Sequence, residues 1–433
     1  MKQRNLLIIL LMLVFATSCS TSRNGVHRRG RPDNAALGIQ HQRDNADIGD
    51  GARRQRPPTW QQQLSVRLDS LLLDSLFSTI QAGVCVYDLT DDAMIYARGA
   101  TQRLRPASTE KMVTAVAALD LLGPQYCFET RVYAAGSIKD GRLNGDLWFV
   151  GGMDPLFGRV DLNELCKAVR QSGIKHIDGR VMLDLTKKDE DKWGWGWCWD
   201  DDNPSLKPLL IDGKDVFADV VAEALKKSGI QLKSSRQAIL SGQLPATASL
   251  LATRSRPLPA VLEPMMKQSN NLCAESVFYQ MGTTRKSIVS TINDVISRAY
   301  AEVKPSPTLL PSAADLTQIA DGSGLSLYNY QTPQTFIALL RHAAINQDIF
   351  SALWASLPIA AVDGTLRNRM ASTPAANNVR AKTGTVTGVS TLVGYCTRLS
   401  NNHMLAFAIM TQGVQRGADG RRYQDSVCTL LCE

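Results

Sequence analysis

Ala107-Ser108-Thr109-Glu110-Lys111 runs straight into Met112-Val113-Thr114-Ala115-Val116-Ala117-Ala118-Leu119. The stretch reads as a buried helix that begins at a serine. Pro106 stands just upstream, and Gly123-Pro124 gives a stop one residue past Leu122. Position 108 therefore falls at or beside the helix N-terminus, and position 111 lies one turn on, on the same face. A serine hydroxyl is a weak nucleophile and needs a base within hydrogen-bond reach. A lysine can be that base only when neutral, and complete burial lowers its pKa by roughly 3–5 units. The run after Lys111 is almost wholly apolar, and the helix dipole favours negative charge developing at Ser108. Taken alone, the S-x-x-K spacing also describes an N-capping serine with a snorkelling lysine, so the rest of the chain must decide.

Upstream of this helix the chain changes character twice. Lys2 and Arg4 precede the apolar run Leu6 to Phe15, followed by Ala16-Thr17-Ser18-Cys19. The run is too short for a stable membrane span and reads as a secretory signal peptide. Small residues before a cysteine resemble a bacterial lipoprotein processing site. Cys19 is therefore the expected lipidated N-terminus, on an exported protein anchored in the periplasm or cell envelope. Residues 20–58 then hold eight Arg against four Asp, without apolar periodicity. They read as a disordered basic tether, and they account for part of the net charge of +8. Behind a signal peptide, a polyanionic envelope surface suits that charge better than nucleic acid, and no nucleic-acid partner is expected.

Removing Cys19 from the nine cysteines leaves an even number for an oxidising compartment, with no deducible pairing. No C-x-x-C pair or Cys/His cluster has metal-ligand spacing, so neither a metal nor a cofactor is expected. Of the five histidines, His27 and His41 fall in the tether. A Ser-His-Asp triad is thus poorly supplied, which favours lysine as the base.

The 433 residues allow about two to three domains. Leu64 to Leu76 reads as a short amphipathic helix, Gly83 to Asp88 and Ala93 to Arg98 as a hairpin, and Thr130 to Ala134 and Gly145 to Val150 as strands. Between 156 and 254 the chain reads as an inserted module, with helices at Leu162 to Ser172 and Phe217 to Ser228 and a strand at Gly179 to Leu185. Within it, Trp193-Gly194-Trp195-Gly196-Trp197-Cys198-Trp199 is either an aromatic surface for sugar or peptide or a structural plug, and the plug is the favoured reading. In the second half, Leu258 to Met266 and Leu272 to Met281 are helices with Ser269-Asn270-Asn271 on the loop between them. Thr335 to Ala344 is another helix. Arg380-Ala381-Lys382-Thr383-Gly384-Thr385 opens a strand that continues through Leu392 to Thr397, Met404 to Thr411 is the next strand, and Arg421 to Leu431 is a closing helix. The fold class is α+β, an antiparallel sheet built from both chain ends with helices on its faces. Its domains are 1–19, 20–60, 61–155, the insert 156–254, and 255–433.

S-x-x-K at 108–111, S-x-N at 269–271 and K-T-G at 382–384 occur in that order. Together they form the motif set of penicillin-binding proteins and β-lactamases. The chain further resembles the D-alanyl-D-alanine carboxypeptidase/endopeptidase family of low-molecular-mass penicillin-binding proteins over roughly residues 65 to 433. The resemblance is carried by Gly151-Gly152-Met153-Asp154-Pro155, Ser269-Asn270-Asn271-Leu272, Asp321-Gly322-Ser323-Gly324-Leu325-Ser326, Val362-Asp363-Gly364-Thr365-Leu366, Lys382-Thr383-Gly384-Thr385 and the long insertion.

That resemblance implies a β-lactamase-like sheet with an all-helical subdomain and the inserted α/β module. It also implies acyl transfer on peptidoglycan stem peptides. Ser108 would attack the carbonyl between two D-alanines, Lys111 would accept its proton, Ser269 would relay a proton to the leaving amine, and Asn271 would hold the substrate amide. Lys382 and Thr383 would bind the terminal carboxylate, and the backbone N–H groups of Ser108 and Thr385, beside Gly384, would hold the oxyanion. β-Lactams would acylate Ser108. Asp154 would meet an amino group of the stem peptide or only shape a turn before proline; Asp321 would orient the site or only cap its loop. The middle motif has Asn270 where the general form has aspartate, and Leu327 stands where family members often have arginine. Two rival readings use the same residues. One is a β-lactamase, for which no deacylating base is assignable. The other is a non-catalytic envelope lipoprotein that binds peptidoglycan.

Overall fold

The structure is a computed structural model that describes residues 57–73, 78–233, 239–303 and 316–433. The expected signal peptide, Cys19 and most of the basic tether lie outside the described residues.

Strands β1 (Gln81–Asp88) and β2 (Ala93–Arg98) come from the start of the folded chain. Strands β10 (Arg380–Val386), β11 (Val389–Arg398) and β12 (His403–Gln412) come from its end. They pair in the order β10-β11-β12-β1-β2, and β1 runs antiparallel to β12 from Gln81↔Gln412 to Asp88↔Leu405. Both faces of this sheet are buried, and the side-chain alternation divides them. Val84, Val86, Leu392, Leu405, Phe407 and Ile409 face one core, under helices α1 (Trp60–Leu71) and α10 (Gly417–Cys432). Cys85, Tyr87, Val393, Tyr395, Ala408 and Met410 face the other.

The second core is helical. At its centre lies α2 (Glu110–Leu122), buried all round from Glu110 to Leu119, as the almost wholly apolar run after Lys111 requires. Packed in the same core are α5 (Leu258–Lys267), α6 (Asn271–Phe278), α7 (Arg285–Glu302), α8 (Pro333–Ile345) and α9 (Gln347–Ser356). The sequence reading missed α7, although its buried residues Ile288, Ile292, Val295, Ile296 and Ala299 recur at helical spacing.

A second sheet holds β3 (Cys127–Lys139), β4 (Arg142–Val150), β5 (His176–Ile177), β6 (Val181–Asp184), β7 (Gln231–Leu232), β8 (Leu240–Ser241) and β9 (Ser249–Pro257). Helices α3 (Arg159–Gln171) and α4 (Phe217–Lys227) share its separate core. The insert drawn at 156–254 cuts through this sheet. β3 and β4 precede residue 156 yet pair with β9 and β6, so the layer runs from Cys127 to Pro257. Composition could not show this, because membership is set by long-range pairing. A second correction concerns the run from Lys382 to Thr397. It is two strands, turned at Thr387-Gly388 with Gly388 at φ +76°, because residues on both sides are equally strand-like and only the glycine marks the turn.

Phe407 is fully buried in the middle of β12. Phe407→Ala should lower the unfolding free energy by about 3–5 kcal/mol in chemical denaturation.

Candidate active site

Ala107–Thr109 forms a single 3₁₀ turn that feeds directly into α2. Ala107 sits at φ +47°, a region costly for a residue with a Cβ. The turn is held by Thr109 and Thr391, whose hydroxyls donate to the Pro106 carbonyl at 2.6 and 2.7 Å. It is pressed from the other side by Gly324, where a Cβ would lie 1.8 Å from the Ala107 carbonyl oxygen. Ser108 is thereby left half-exposed above a buried lysine.

Lys111 is completely buried, with its Nζ 3.0 Å from Ser108 Oγ, 2.7 Å from Asn271 Oδ1 and 2.7 Å from the Ser323 carbonyl. A neutral amine has two N–H donors and one lone pair. Donation to Asn271 and Ser323 leaves the lone pair facing the Ser108 hydroxyl. Burial lowers the Lys111 pKa to about 8, and the acidic groups of Asp321 and Glu275 keep it from falling further. Two carboxyls in this layer, Glu110 and Glu275, are themselves buried. Burial, reinforced by Asp321, pushes Glu275 up to about 8 and Glu110 well above the ordinary carboxyl range.

The second serine arrives by a backbone device. Ser269 has φ +59° in the link between α5 and α6, and Asn270 caps α6 by accepting the Cys273 N–H at 2.9 Å. Asn271 is therefore the first residue of that helix, not a loop residue, and its side chain points at Lys111. Lys382 Nζ donates to Ser269 Oγ at 2.9 Å and to the Thr383 carbonyl at 2.7 Å. Lys382 is fully buried, and burial together with the charge of Lys111 holds its pKa well below the usual lysine range. It lies behind Ser269 and does not line the cleft, which alters the expected carboxylate contact. The residues that do line it are Ser108, Ser269, Thr365, Arg369, Thr383, Thr385 and Arg421, around a volume of about 320 Å³.

Gly384 brings the K-T-G strand up to the serine turn. A Cβ there would lie 2.1 Å from Thr391 Oγ1, 2.5 Å from the Pro106 carbonyl and 2.9 Å from the Thr109 nitrogen, so only glycine permits the approach that sets Thr385 beside Ser108. The 362–366 segment contributes Thr365, which accepts a hydrogen bond from the Thr383 hydroxyl at 2.9 Å. Thr365, Arg369 and Arg421 had no part in the sequence assignment, although Thr365 falls inside a stretch that carried the resemblance.

Asp154 and Asp321 are not brought to the cleft. Asp154 is buried, with both carboxylate oxygens 2.8 Å from Arg256 Nε. Asp321 is also buried. Its Oδ1 accepts from the Gly324 N–H and the Asn329 amide, and its Oδ2 from the Ser326 N–H and the Trp197 indole N–H. Asp154 also accepts the Leu156 N–H at 2.9 Å, a turn contact, and Asp321 holds the N–H groups of its own loop while its charge acts on Lys111. Trp197 ties the tryptophan-rich stretch to the same loop, while Trp193, Trp195 and Trp199 are exposed.

Glu275 gives a stability test. Its pKa is raised, so the native state retains a proton that the unfolded chain loses, and stability falls as pH rises from the ordinary carboxyl range to about 8. Glu275→Gln has no such proton to lose. Its melting temperature relative to the wild type should therefore climb through that window and level off above about pH 8.

Comparison with known proteins agrees with this geometry. The D-alanyl-D-alanine carboxypeptidase DacB of Haemophilus influenzae is 27% identical over 410 residues, covering 72% of this chain and 81% of its own. The D-alanyl-D-alanine carboxypeptidase of an Actinomadura species is also 27% identical, covering 86% of this chain and 85% of its own. The crystal structure of penicillin binding protein 4 from Haemophilus influenzae matches with a TM-score of 0.73 at 24% identity, over 84% of this chain and 99% of that one, a likeness of fold. Residues 64–208 and 209–432 match the D-Ala-D-Ala carboxypeptidase 3 (S13) family. Since the match spans both sheets and all three motifs, the chain belongs to that family of peptidases.

Proposed function

We propose that this protein is a serine DD-peptidase that cleaves the terminal D-Ala-D-Ala bond of peptidoglycan stem peptides through an acyl-enzyme on Ser108. The observation that carries the reading is the buried Lys111 amine 3.0 Å from the Ser108 hydroxyl, with a lone pair free to take its proton. Ser108 Oγ attacks the penultimate D-alanine carbonyl as its proton passes to Lys111 Nζ. The tetrahedral oxyanion lies between the backbone N–H groups of Ser108 and Thr385, where one such donor is worth about 3–4 kcal/mol. Asn271 holds the substrate amide. The Ser269 hydroxyl, held by Lys382, gives its proton to the leaving D-alanine amine and regains one from the Lys111 ammonium, and the C–N bond breaks with Lys111 neutral again. Water then hydrolyses the ester and regenerates Ser108.

The K-T-G strand β10 is the edge of its sheet, so an extended peptide can lie against it as an added strand. The same arrangement accepts a cross-link in which the amine-side residue is a diaminopimelate in place of free D-alanine, and endopeptidase action follows from it. β-Lactams present the same amide and acylate Ser108; the Haemophilus penicillin binding protein 4 has been crystallised in complex with a β-lactam. The protein acts on the cell wall in the envelope, and a lipid on Cys19 holds it to a membrane. No helix among the described residues is long and apolar enough to cross one.

Ser108→Ala should abolish labelling by a fluorescent penicillin without loss of folded protein by circular dichroism. Lys111→Ala should slow that acylation by orders of magnitude, because nucleophile and base act as a unit; normal labelling of either variant would overturn the assignment. The second-order acylation rate should rise with pH along a limb centred near 8, since the neutral amine is the active form and burial places its pKa there. A rate independent of pH between 6 and 9, by stopped flow with a chromogenic cephalosporin, would exclude Lys111 as the base.

A further inference from the structure

The cleft needs a cation that the three motifs do not supply. The substrate of the proposed reaction ends in a carboxylate next to the scissile amide, and this inference rests on that reading. Lys382 has no exposed surface and spends its donors on Ser269 and the Thr383 carbonyl. Lys111 is likewise enclosed.

Two arginines line the cleft beside Ser108 and Ser269. Arg369 is committed elsewhere. Its Nε and Nη2 donate to Asp425 at 2.9 and 2.6 Å, and Nη2 also reaches Gln424 and the Arg421 carbonyl. Arg421 differs. Its side chain is exposed, and its guanidinium has no hydrogen-bond or ion-pair partner among the described residues. Its backbone position is nonetheless fixed, by that bond from Arg369 to its carbonyl and by its neighbour Gly420, where a Cβ would lie 2.6 Å from Ser390 Cβ. Ser390 pairs with Thr385 across β10 and β11, so Arg421 stands at the level of Thr385 on the K-T-G strand.

We propose that Arg421 is the cationic anchor for the substrate's terminal carboxylate, with the Thr385 hydroxyl contributing from the strand. A guanidinium presents paired donors that match a carboxylate, and a charge-assisted pair of this kind is stronger than a neutral one. The anchor selects bonds whose amine-side residue keeps a free α-carboxylate. A D-Ala-D-Ala terminus has one and so does a D-alanyl cross-link to diaminopimelate, whereas an interior peptide bond does not. Arg421 is thus a specificity-determining residue carried by the C-terminal helix, outside all three motifs.

The test compares an N-acyl-L-Lys-D-Ala-D-Ala peptide with its C-terminal amide, measuring kcat/KM per site titrated with labelled penicillin. The wild type should prefer the acid. Arg421→Ala should reduce the acid-to-amide preference by about 10- to 100-fold, the range of a hydrogen bond to a charged group, and Arg421→Lys should restore part of it. The acid's kcat/KM in the wild type should fall as salt is raised, and in Arg421→Ala it should respond less. An Arg421→Ala enzyme with the wild-type preference and salt response would overturn the anchor and leave the peptidase reading intact. A wild type that cleaves the D-Ala-D-Ala bond of neither peptide would overturn both.

Discussion

A lysine can act as a base near neutral pH only if water is kept from its amine, and much of this fold serves that condition. Lys111 lies in the first turn of a helix buried on every side, and the groups its nitrogen meets are an amide oxygen, a backbone carbonyl and the Ser108 hydroxyl. Each contact comes from a different part of the chain: Asn271 from the start of α6, Ser323 from a turn, Ser108 from the preceding residues. Burial alone would depress the pKa further than is useful, and the nearby acidic groups moderate it. Those acids are buried too, and Glu110 and Glu275 hold their protons well above the ordinary carboxyl range. The site is therefore a set of mutually adjusted titrations, not one perturbed lysine.

The architecture explains how such distant pieces converge. The sheet that carries K-T-G is closed by pairing the first strand of the folded chain with the last, Gln81 against Gln412. Helix α2 packs beneath that sheet in the core it shares with the other helices, so the serine turn sits where sheet and helices meet. Two glycines set the fine spacing: Gly384 allows β10 to touch the serine turn, and Gly324 allows the 321–326 loop to press on it from the other side. The second sheet is linked to this centre through Trp197, whose indole N–H donates to Asp321 in the loop that meets Lys111.

What the sequence disclosed is what local order encodes. Ser108 and Lys111 are one helical turn apart, and Ser269 and Asn271 two residues apart, so their juxtaposition could be read without a fold. The tethers between motifs could not. Asp154 meets Arg256, 102 residues away, and nothing near either one announces the pair. Thr130 to Ala134 and Gly145 to Val150 read as strands correctly but belong to the second sheet, because their partners β9 and β6 lie far along the chain. Lys382 was recognisable as part of K-T-G, yet whether its amine faces the cleft or turns inward to Ser269 depends on packing that only the assembled sheet defines. Arg421 and Arg369 were invisible for the same reason. An arginine in a closing helix looks like solvated surface until that helix is laid across β11.

The arrangement contains the same pair twice. Lys111 meets Ser108 at 3.0 Å within one helical turn, and Lys382 meets Ser269 at 2.9 Å from segments 113 residues apart. Both amines are fully buried, and charge on Lys111 works against charge on Lys382. Two ammonium groups so placed would repel in a medium that screens poorly, so a proton taken up by one discourages protonation of the other. On the mechanism proposed, this coupling has a direction. When Lys111 accepts the Ser108 proton, Lys382 becomes harder to charge, so the proton that Ser269 gives to the leaving amine is replaced from Lys111 and not from Lys382. A carboxylate anchored outside this pair, by Arg421, would leave that balance undisturbed. One anchored directly on Lys382 would favour its ammonium form and compete with the proton that Lys111 must accept.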